Sequence, residues 1–153
     1  MEIELLEFKP IGVVRNNAGM RRYNEWREVI SEIIIDPEYT EALYRLEEFS
    51  HIYVLFYFHK INEPFKKRVH PTRNPKFPLM GAFATRTPNR PNSIALTLCE
   101  LLGRKENVLT VKGLDAFNGS PVIDIKPFSS TNIDEKVQVP DWIQKLGKRV
   151  HKG

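Results

Sequence analysis

The chain has 153 residues, which is enough for one domain with a substantial buried core. Hydrophobic residues make up 41% and charged residues 27%, so a disordered or fibrous protein is excluded. The longest apolar run, 52–58, is far shorter than the roughly 20 residues of a membrane helix, and the acidic N-terminus is unlike a signal peptide. The single cysteine, Cys99, excludes an internal disulfide, favours a cytoplasmic location and is expected to be a small buried hydrophobic residue.

The net charge of +4 is modest, but the basic residues are clustered. Six lysines and arginines accompany one acid between residues 60 and 76, and further lysines and arginines follow residue 144. Such clusters supply phosphate contacts in nucleic-acid-binding proteins. The alternative is a solvated loop and tail, and charge alone leaves both interpretations open.

Seven runs of apolar, β-branched or aromatic residues, each bounded by turn residues, predict strands at 8–15, 31–36, 51–59, 81–86, 94–102, 108–114 and 122–126. In the sixth run Leu109 and Val111 are expected on one face, with Val108 and Thr110 on the other. The third run is nearly continuously apolar, which predicts a strand covered on both faces. The pattern as a whole predicts a small β-barrel or a tightly curled sheet.

Two short helices are expected. One begins at Asp36, which is followed by Pro37 and Glu38 as in a capped first turn, and its apolar stripe ends at Phe49. The other covers 141–148. Residues 15–26 and 62–78 are predicted loops, and the second is long enough to be functional or partly mobile.

The segment 81–96 joins two apolar runs through a stiff polar corner. Pro88 and Pro91 fix the backbone there and bias the residues before them away from helix. The corner therefore holds two guanidinium groups, those of Arg86 and Arg90, in set directions. This arrangement predicts a site for an anion or a nucleotide.

The segment 113–128 contains a second candidate site. The pair Asn118-Gly119 is a strong turn signal between apolar runs, and a plain hairpin is one interpretation. However, Asp115 and Asp124 flank the turn, and a carboxylate inside an apolar strand needs a partner or a role. The sequence has no glycine-rich nucleotide loop, no zinc-ligand spacing and no nucleophile elbow, so metal sites and doubly wound nucleotide folds are not expected.

Four segments together resemble the TsaA-like, TrmO-type tRNA methyltransferase family. They are 8–15 (FKPIGVVR), 49–59 (FSHIYVLFYFH), 81–95 (GAFATRTPNRPNSIA) and 118–128 (NGSPVIDIKPF). The chain departs from the usual family pattern at Asn118-Gly-Ser-Pro121 for Asp-Gly-Thr-Pro, at His59-Lys60 for His-Gln, and at Pro91-Asn-Ser-Ile-Ala95 for Pro-Asn-Pro-Ile-Gly. It also stops before the extra C-terminal region of longer members, which bears on substrate recognition more than on cofactor binding.

The resemblance implies a mainly β protein, a small single-sheet barrel with one or two short helices that is a methyltransferase without a Rossmann fold. It implies a barrel domain over residues 1–135 and a basic C-terminal helix or tail over 136–153. It further implies S-adenosylmethionine as cofactor, a homodimer with the cofactor near the subunit interface, and tRNA as partner. The implied reaction is methylation of N6 of threonylcarbamoyladenosine next to the anticodon, in the cytoplasm, without metal or membrane.

Carried over by motif, the cofactor site comprises His59, Lys60, Arg86, Leu96, Asn118, Gly119, Ser120 and Pro121, with Met20, Arg21 and Arg22 matched more loosely. The candidate bases for removing the N6 proton are His59, Asp115 and Asp124. The candidate RNA contacts are Lys66, Lys67, Arg68, Arg73 and Arg90. Exposed bases could stack on Trp26, Tyr23 or Phe65.

Each of these roles has a structural alternative. Arg86 could anchor the proline-rich corner, Arg90 could bind a backbone carbonyl instead of a phosphate, and His59 could be a core histidine. Asp124 could brace the turn, and the aromatic residues could simply pack their loops. For the whole chain, the alternatives are a non-catalytic RNA-binding barrel and a methyltransferase for another adenine-like acceptor.

Overall fold

The computed structural model describes residues 3–21, 23–132, 134 and 136–148. These residues form two compact units. The first comprises the described parts of Met1–His59 and Ala95–Phe128, and the second those of Lys60–Ile94 and Ser129–Gly153. The predicted boundary between residues 135 and 136 stays a prediction, because residues 133 and 135 lie outside the described residues.

The described residues contain eight strands and one α-helix, which we label in chain order. The strands are β1 (Gly12–Arg15), β2 (Ile30–Ile35), β3 (His51–Tyr57), β4 (Arg68–Val69), β5 (Met80–Gly81), β6 (Ile94–Lys105), β7 (Val108–Lys112) and β8 (Pro121–Pro127), and the helix is α1 (Asp141–Lys148). Six strands close a barrel in the order β1-β2-β7-β6-β3-β8. The predicted fold class, a mainly β protein built on a small barrel, is confirmed.

Strand β1 closes the barrel because it pairs antiparallel on both sides. Val13 lies opposite Ile34 of β2 and opposite Pro121 of β8. The β2 backbone approaches so closely that a Cβ added to Gly12 would collide with the carbonyl oxygen of Ile34. A glycine is therefore required at this point of the barrel wall.

The barrel interior is filled by alternate residues of its strands. Leu109 and Val111 of β7 are fully buried, as their alternation predicted. Burial of each large apolar side chain stabilises the fold by about 1.5–3 kcal/mol. The core cluster consists of Val14, Ile33, Ile35, Leu43, Ile52, Val54, Phe56, Ala95, Cys99, Leu101, Leu109, Val111, Leu114, Ala116 and Val122.

Several predicted elements differ from the structure. The strand predicted over 8–15 is shorter, Gly12–Arg15, and the predicted loops 15–26 and 62–78 contain the 3-10 helix Tyr23–Glu28 and strand β4. Strand β3 alternates between buried and half-exposed residues and ends on exposed Tyr57, so it is not covered on both faces. The helix predicted after Asp36 is a 3-10 helix, Pro37–Leu43, which Asp36 caps through a hydrogen bond from the Glu38 amide. It does not continue, because Arg45 takes a left-handed conformation with a φ of 66°.

In the second unit, the strand predicted over 81–86 is mostly absent. Only Met80–Gly81 pairs as a strand, and the chain then turns through a 3-10 helix, Ala82–Ala84. The predicted helix Asp141–Lys148 is confirmed as an α-helix, and its Trp142 ring lies 6.3 Å from the ring of buried Phe77. No helix among the described residues is both long enough and apolar enough to cross a membrane.

Candidate functional site

The turn between β7 and β8 is bound tightly to the first strand. The Gly119 amide donates to the Val14 carbonyl at 2.8 Å, and the Val14 amide donates to the Ser120 carbonyl at 3.0 Å. Gly119 has a φ of 86°, a conformation that favours glycine. The predicted residues Asn118–Pro121 thus form a fixed turn at the barrel wall, with Asn118 and Gly119 exposed and Ser120 buried.

Asn16 fixes this turn from the end of β1. Its backbone amide donates to Oδ1 of Asn118 at 3.0 Å, and its side-chain amide donates to Oγ of Ser31 at 2.9 Å and to the carbonyl of Ala116 at 3.0 Å. Asn16 was not among the predicted site residues, because nothing in the sequence distinguishes it from the neighbouring Asn17. Only the fold brings it to the turn.

His59 packs beside the same turn. Its Nδ1 lies 3.4 Å from the hydroxyl of Ser120, and its Nε2 would lie 3.8 Å from a Cβ added to Gly119. The ring is half-buried. The structure therefore brings His59 next to the Asn118–Pro121 turn.

Asp115 lies before the turn and accepts a short hydrogen bond from the Thr97 hydroxyl of β6. Close to it is Cys99, which is only 2% exposed. Burial, and after it the negative charge of Asp115, raises the pKa of the Cys99 thiol to about 12. The thiol is therefore protonated at neutral pH, as expected for a small buried hydrophobic residue and not for a nucleophile.

Asp124 is engaged on β8. Its carboxylate accepts from the Ile125 amide at 2.8 Å and pairs with Nζ of Lys126 at 2.9 Å. These contacts supply the partner that a carboxylate in an apolar strand needs. Both contacts stay within β8 and neither reaches the Asn118–Pro121 turn, so the catalytic and bracing roles of Asp124 both stay predictions.

The loosely matched segment after β1 borders an open cavity. Arg21 lines a cavity of about 340 Å³, and Met20, 88% exposed, precedes it. A second cavity of about 420 Å³ shares Asn17 and Ile30 with the first and also includes Asn16, which holds the turn. Arg22 lies outside the described residues.

Leu96 and Lys60 are two further residues predicted to contact the cofactor. Leu96 stands on the outer face of β6 and is half-exposed, as are Leu98 and Leu102 on the same face. Lys60 is exposed and follows His59 directly.

The two arginines of the polar corner differ sharply. Nη1 of Arg90 donates to the carbonyls of Ala82 at 3.1 Å, Thr85 at 2.8 Å and Thr87 at 3.4 Å, so its charge is directed inwards. Arg86 is exposed, and no described residue forms an ion pair with its guanidinium. Of the two, Arg86 is the one placed to meet an external anion.

The basic loop, residues 60–76, presents most of its charged side chains to solvent. Lys66, Lys67 and Arg68 are exposed and form no ion pairs with described residues, whereas Arg73 pairs with Glu63 at 3.1 Å. Within the ranges that the structure describes, no three metal-ligating side chains are grouped to hold an ion.

Of the three aromatic residues considered for stacking, Trp26 is buried and meets Phe117 edge-on at 5.7 Å, which is loop packing. Phe65 is partly exposed, and the side chain of Tyr23 lies outside the described part of the structure.

Comparisons with known proteins agree with this geometry. Residues 15–135 match the family described as the tRNA-methyltransferase O N-terminal domain. The chain is 46% identical over 132 residues to a probable S-adenosyl-L-methionine-binding protein of Methanothermobacter thermautotrophicus, covering 84% of this chain and 91% of that one. It is 40% identical over 119 residues to the mouse tRNA (adenine(37)-N6)-methyltransferase, covering 77% of this chain but only 27% of the mouse protein.

The fold agrees as well. The crystal structure of TrmO from Pseudomonas aeruginosa superposes with a TM-score of 0.72 at 28% identity, covering 90% of this chain and 62% of that one. The chain thus spans less than two thirds of this TrmO. The match to the domain family includes both motif segments and the strands that carry them, so the chain belongs to the TrmO family of tRNA methyltransferases.

Proposed function

We propose that this protein methylates N6 of threonylcarbamoyladenosine next to the anticodon of tRNA, with S-adenosylmethionine as methyl donor. The observation that carries the proposal is the match over 15–135, which contains the turn and the polar corner. The reaction class and the cofactor follow from the family: the chain is an S-adenosylmethionine-dependent methyltransferase. The modified base and its neighbourhood in the tRNA are the proposed part, as is a cytoplasmic location.

The fixed turn at the barrel wall suits a nucleoside. Positions 118 and 119 are exposed, while Asn16 holds the Asn118 side chain and Val14 holds the backbone of Gly119 and Ser120, so the turn loses little conformational entropy when it binds a ligand. Leu96 presents an apolar side chain for packing on a ring. We propose that these residues hold the adenosine of the cofactor.

The cofactor supplies an electrophilic methyl group on a sulfonium sulfur. The sulfur–carbon bond breaks as the nitrogen–carbon bond forms, so positioning provides much of the catalysis and no enzyme nucleophile is needed. The acceptor nitrogen must lose its proton. We propose the His59 imidazole as the group that accepts it, since Asp124 is committed to Lys126 and Asp115 to Thr97.

His59 has a matched control in His51, because His51 begins β3 and His59 lies two residues beyond its end, away from His51. We expect His59→Gln to lower kcat at least tenfold while the thermal midpoint changes little. The variant His51→Gln should keep wild-type kcat. Equal kcat for His59→Gln and wild type would contradict the assignment of His59 as the base.

The substrate is tested with labelled S-adenosylmethionine and two tRNA pools, one with and one without the threonylcarbamoyl group. We expect label only in the modified pool, at the adenosine beside the anticodon. Label on the unmodified pool would point to another acceptor. If calorimetry detects no binding of S-adenosylmethionine at millimolar concentration, the methyltransferase proposal is contradicted and a non-catalytic RNA-binding barrel is favoured.

Arg86 and the basic loop are proposed to have separate roles. Arg86 binds the carboxylate of the methionine end of the cofactor, so Arg86→Ala should weaken cofactor binding about 10- to 100-fold. The double variant Lys66→Ala/Lys67→Ala should instead weaken tRNA binding and lower its salt slope by about 2. Equal loss of cofactor affinity in both variants would contradict this division.

We also propose that the protein works as a homodimer with the cofactor near the subunit interface. Half-exposed leucines line the outer face of β6, beside the predicted cofactor contact Leu96. Light scattering should give a dimer mass for the wild type. Leu98→Glu should yield a monomer with wild-type thermal stability, and an unchanged dimer would place the interface elsewhere.

A further inference from the structure

Phe83 is an exposed aromatic residue in a rigid, basic setting. It sits in the 3-10 helix Ala82–Ala84 and is 77% exposed, although its neighbour Ala82 is buried. A large apolar side chain held in solvent by ordered backbone is the kind of exposed surface that marks a binding site. None of the roles assigned so far uses Phe83.

The turn that carries Phe83 is fixed on both sides. The Ala82 amide donates to the Lys67 carbonyl at 2.9 Å, and the Ala82 carbonyl accepts from Nη1 of Arg90 and from the Thr85 hydroxyl, at 3.1 and 2.9 Å. The backbone that carries the ring is therefore held in place before any ligand arrives.

One side of the ring faces a cation. The guanidinium carbon of Arg90 lies 5.7 Å from the centroid of the Phe83 ring, and the same guanidinium is bound to three carbonyls. Arg90 thereby holds the ring in place, while most of the side chain stays in solvent.

The surrounding charge is positive. Arg68 lies opposite Gly81 in the β4–β5 pair, and Lys67 is bonded to Ala82, so the basic segment 66–68 runs alongside the turn. An exposed aromatic ring beside a row of cations is the arrangement that binds single-stranded nucleic acid: bases stack on the ring, and the cations bind phosphates.

We propose that Phe83 is a stacking platform for one unpaired base of the tRNA loop that the enzyme modifies, with Lys66, Lys67 and Arg68 binding the adjacent phosphates. This inference rests on the proposed function, since it places a base of that tRNA on this ring. It also gives Arg90 a positioning role behind the ring in place of direct phosphate binding.

The test uses the full chain and an RNA hairpin with the sequence of an anticodon stem-loop and 2-aminopurine in the loop. We expect Phe83→Ala to weaken hairpin binding about 5- to 100-fold and to abolish the quenching of 2-aminopurine fluorescence that stacking produces. Phe83→Trp should restore both, whereas Phe83→Leu, apolar but not aromatic, should restore neither. The matched control is Tyr44→Ala, because Tyr44 is 75% exposed and lies in the other unit.

Three further measurements complete the test. A fully paired RNA duplex should bind wild type and Phe83→Ala equally, because it offers no unpaired base. Cofactor affinity should be the same in both proteins, and a weakened cofactor in Phe83→Ala would mean that the ring belongs to the cofactor site. A changed oligomeric mass would mean that the ring covers a second copy of the chain. Either result overturns the inference.

The inference and the proposed function fail differently. If Phe83→Ala binds the hairpin as wild type does while modified tRNA is still methylated, the stacking platform is wrong and the enzyme activity stands. If wild type methylates no tRNA but still quenches the 2-aminopurine hairpin through Phe83, the proposed function fails and the platform stands.

Discussion

The two motif segments of this chain are held in place in opposite ways. The Asn118–Pro121 turn of the first unit depends on distant parts of the sequence, since Asn16 bonds to Asn118 across 102 positions. The Ala82–Arg90 corner is held by contacts within the second unit: Arg90 reaches carbonyls between three and eight positions away, and Asn89 donates to the carbonyls of Glu63 and Pro64. One segment is fixed by the barrel wall and the other by short-range contacts of its own unit.

This difference separates the effects that substitutions should have. A change that strains the barrel wall should disturb the turn, whereas the corner should lose its shape only when its own contacts are removed. Local stability varies across proteins in this way, and hydrogen exchange reports it segment by segment. Three predictions test the contrast, and a fourth tests the barrel core behind the turn.

The largest effect is expected from Gly12→Ala, because the new methyl group collides with the Ile34 carbonyl in the barrel wall. Overpacking of this kind costs about 3 kcal/mol in the free energy of unfolding. Gly103→Ala is the matched control, since a Cβ there meets nothing within 4 Å. Equal denaturation midpoints for the two variants would contradict this prediction, because they would show that the backbone of β1 can move away from Ile34 at little cost.

Arg90→Ala should destabilise the second unit by about 2 kcal/mol, because it removes the charged donor that the carbonyls of Ala82, Thr85 and Thr87 share. Hydrogen exchange should increase in 82–90 and stay unchanged in 117–121. Arg90→Lys should not rescue the corner, since an ammonium lacks the planar fork of a guanidinium. Arg86→Ala is the control and should leave exchange in 82–90 unaltered.

Asn16→Ala should cost about 1–2 kcal/mol and loosen the chain that enters the Asn118–Pro121 turn at Ala116, because Ser31 and the Ala116 carbonyl lose their partner while the backbone bond to Asn118 is kept. Exchange should rise in 117–121, and cofactor affinity should fall with it. The control Asn62→Ala removes an exposed amide of the second unit. If exchange rises in 117–121 but cofactor affinity is unchanged in Asn16→Ala, the proposal that the turn binds the cofactor is contradicted.

The smallest effect concerns pH and Cys99, whose thiol has a pKa of about 12 in the fold against an ordinary value of 9.0. The native state holds this proton more tightly than the unfolded chain, so the thiol's contribution to stability is complete below pH 9 and lost as pH rises towards 12. By pH 10 the loss should be about 1 kcal/mol. Cys99→Ala should have a correspondingly flatter stability profile between pH 8 and 10, and parallel profiles would contradict the burial.

The sequence was a good guide to strands and a poor guide to the contacts between them. Apolar, β-branched and aromatic runs bounded by turn residues located β2, β6, β7 and β8 to within a few residues. The strand expected over 81–86 failed because Arg90 binds the carbonyls there, a contact that no local pattern reports. The helix after Asp36 became 3-10 where Arg45 turns left-handed.

Site residues followed the same rule. The turn signal at Asn118-Gly119 and the two arginines of the corner were readable from the sequence. Their different environments were not, since the sequence alone does not distinguish an inward guanidinium from an outward one. Asn16 and Phe83 were missed for the same reason: the role of each depends on what lies beside it in space.

Strand β1 has a consequence for how the molecule assembles. Strand β1 must pair with β8, which is the last barrel strand to be synthesised. During synthesis, β1 therefore leaves the ribosome well before its partner strand β8 is available. Until then its unsatisfied amides and carbonyls form a free edge, which favours association with other chains. Ring closure over so many residues is entropically slow. We therefore expect barrel closure to limit the rate of folding, with strand β1 as the point at which nascent chains are most prone to aggregate.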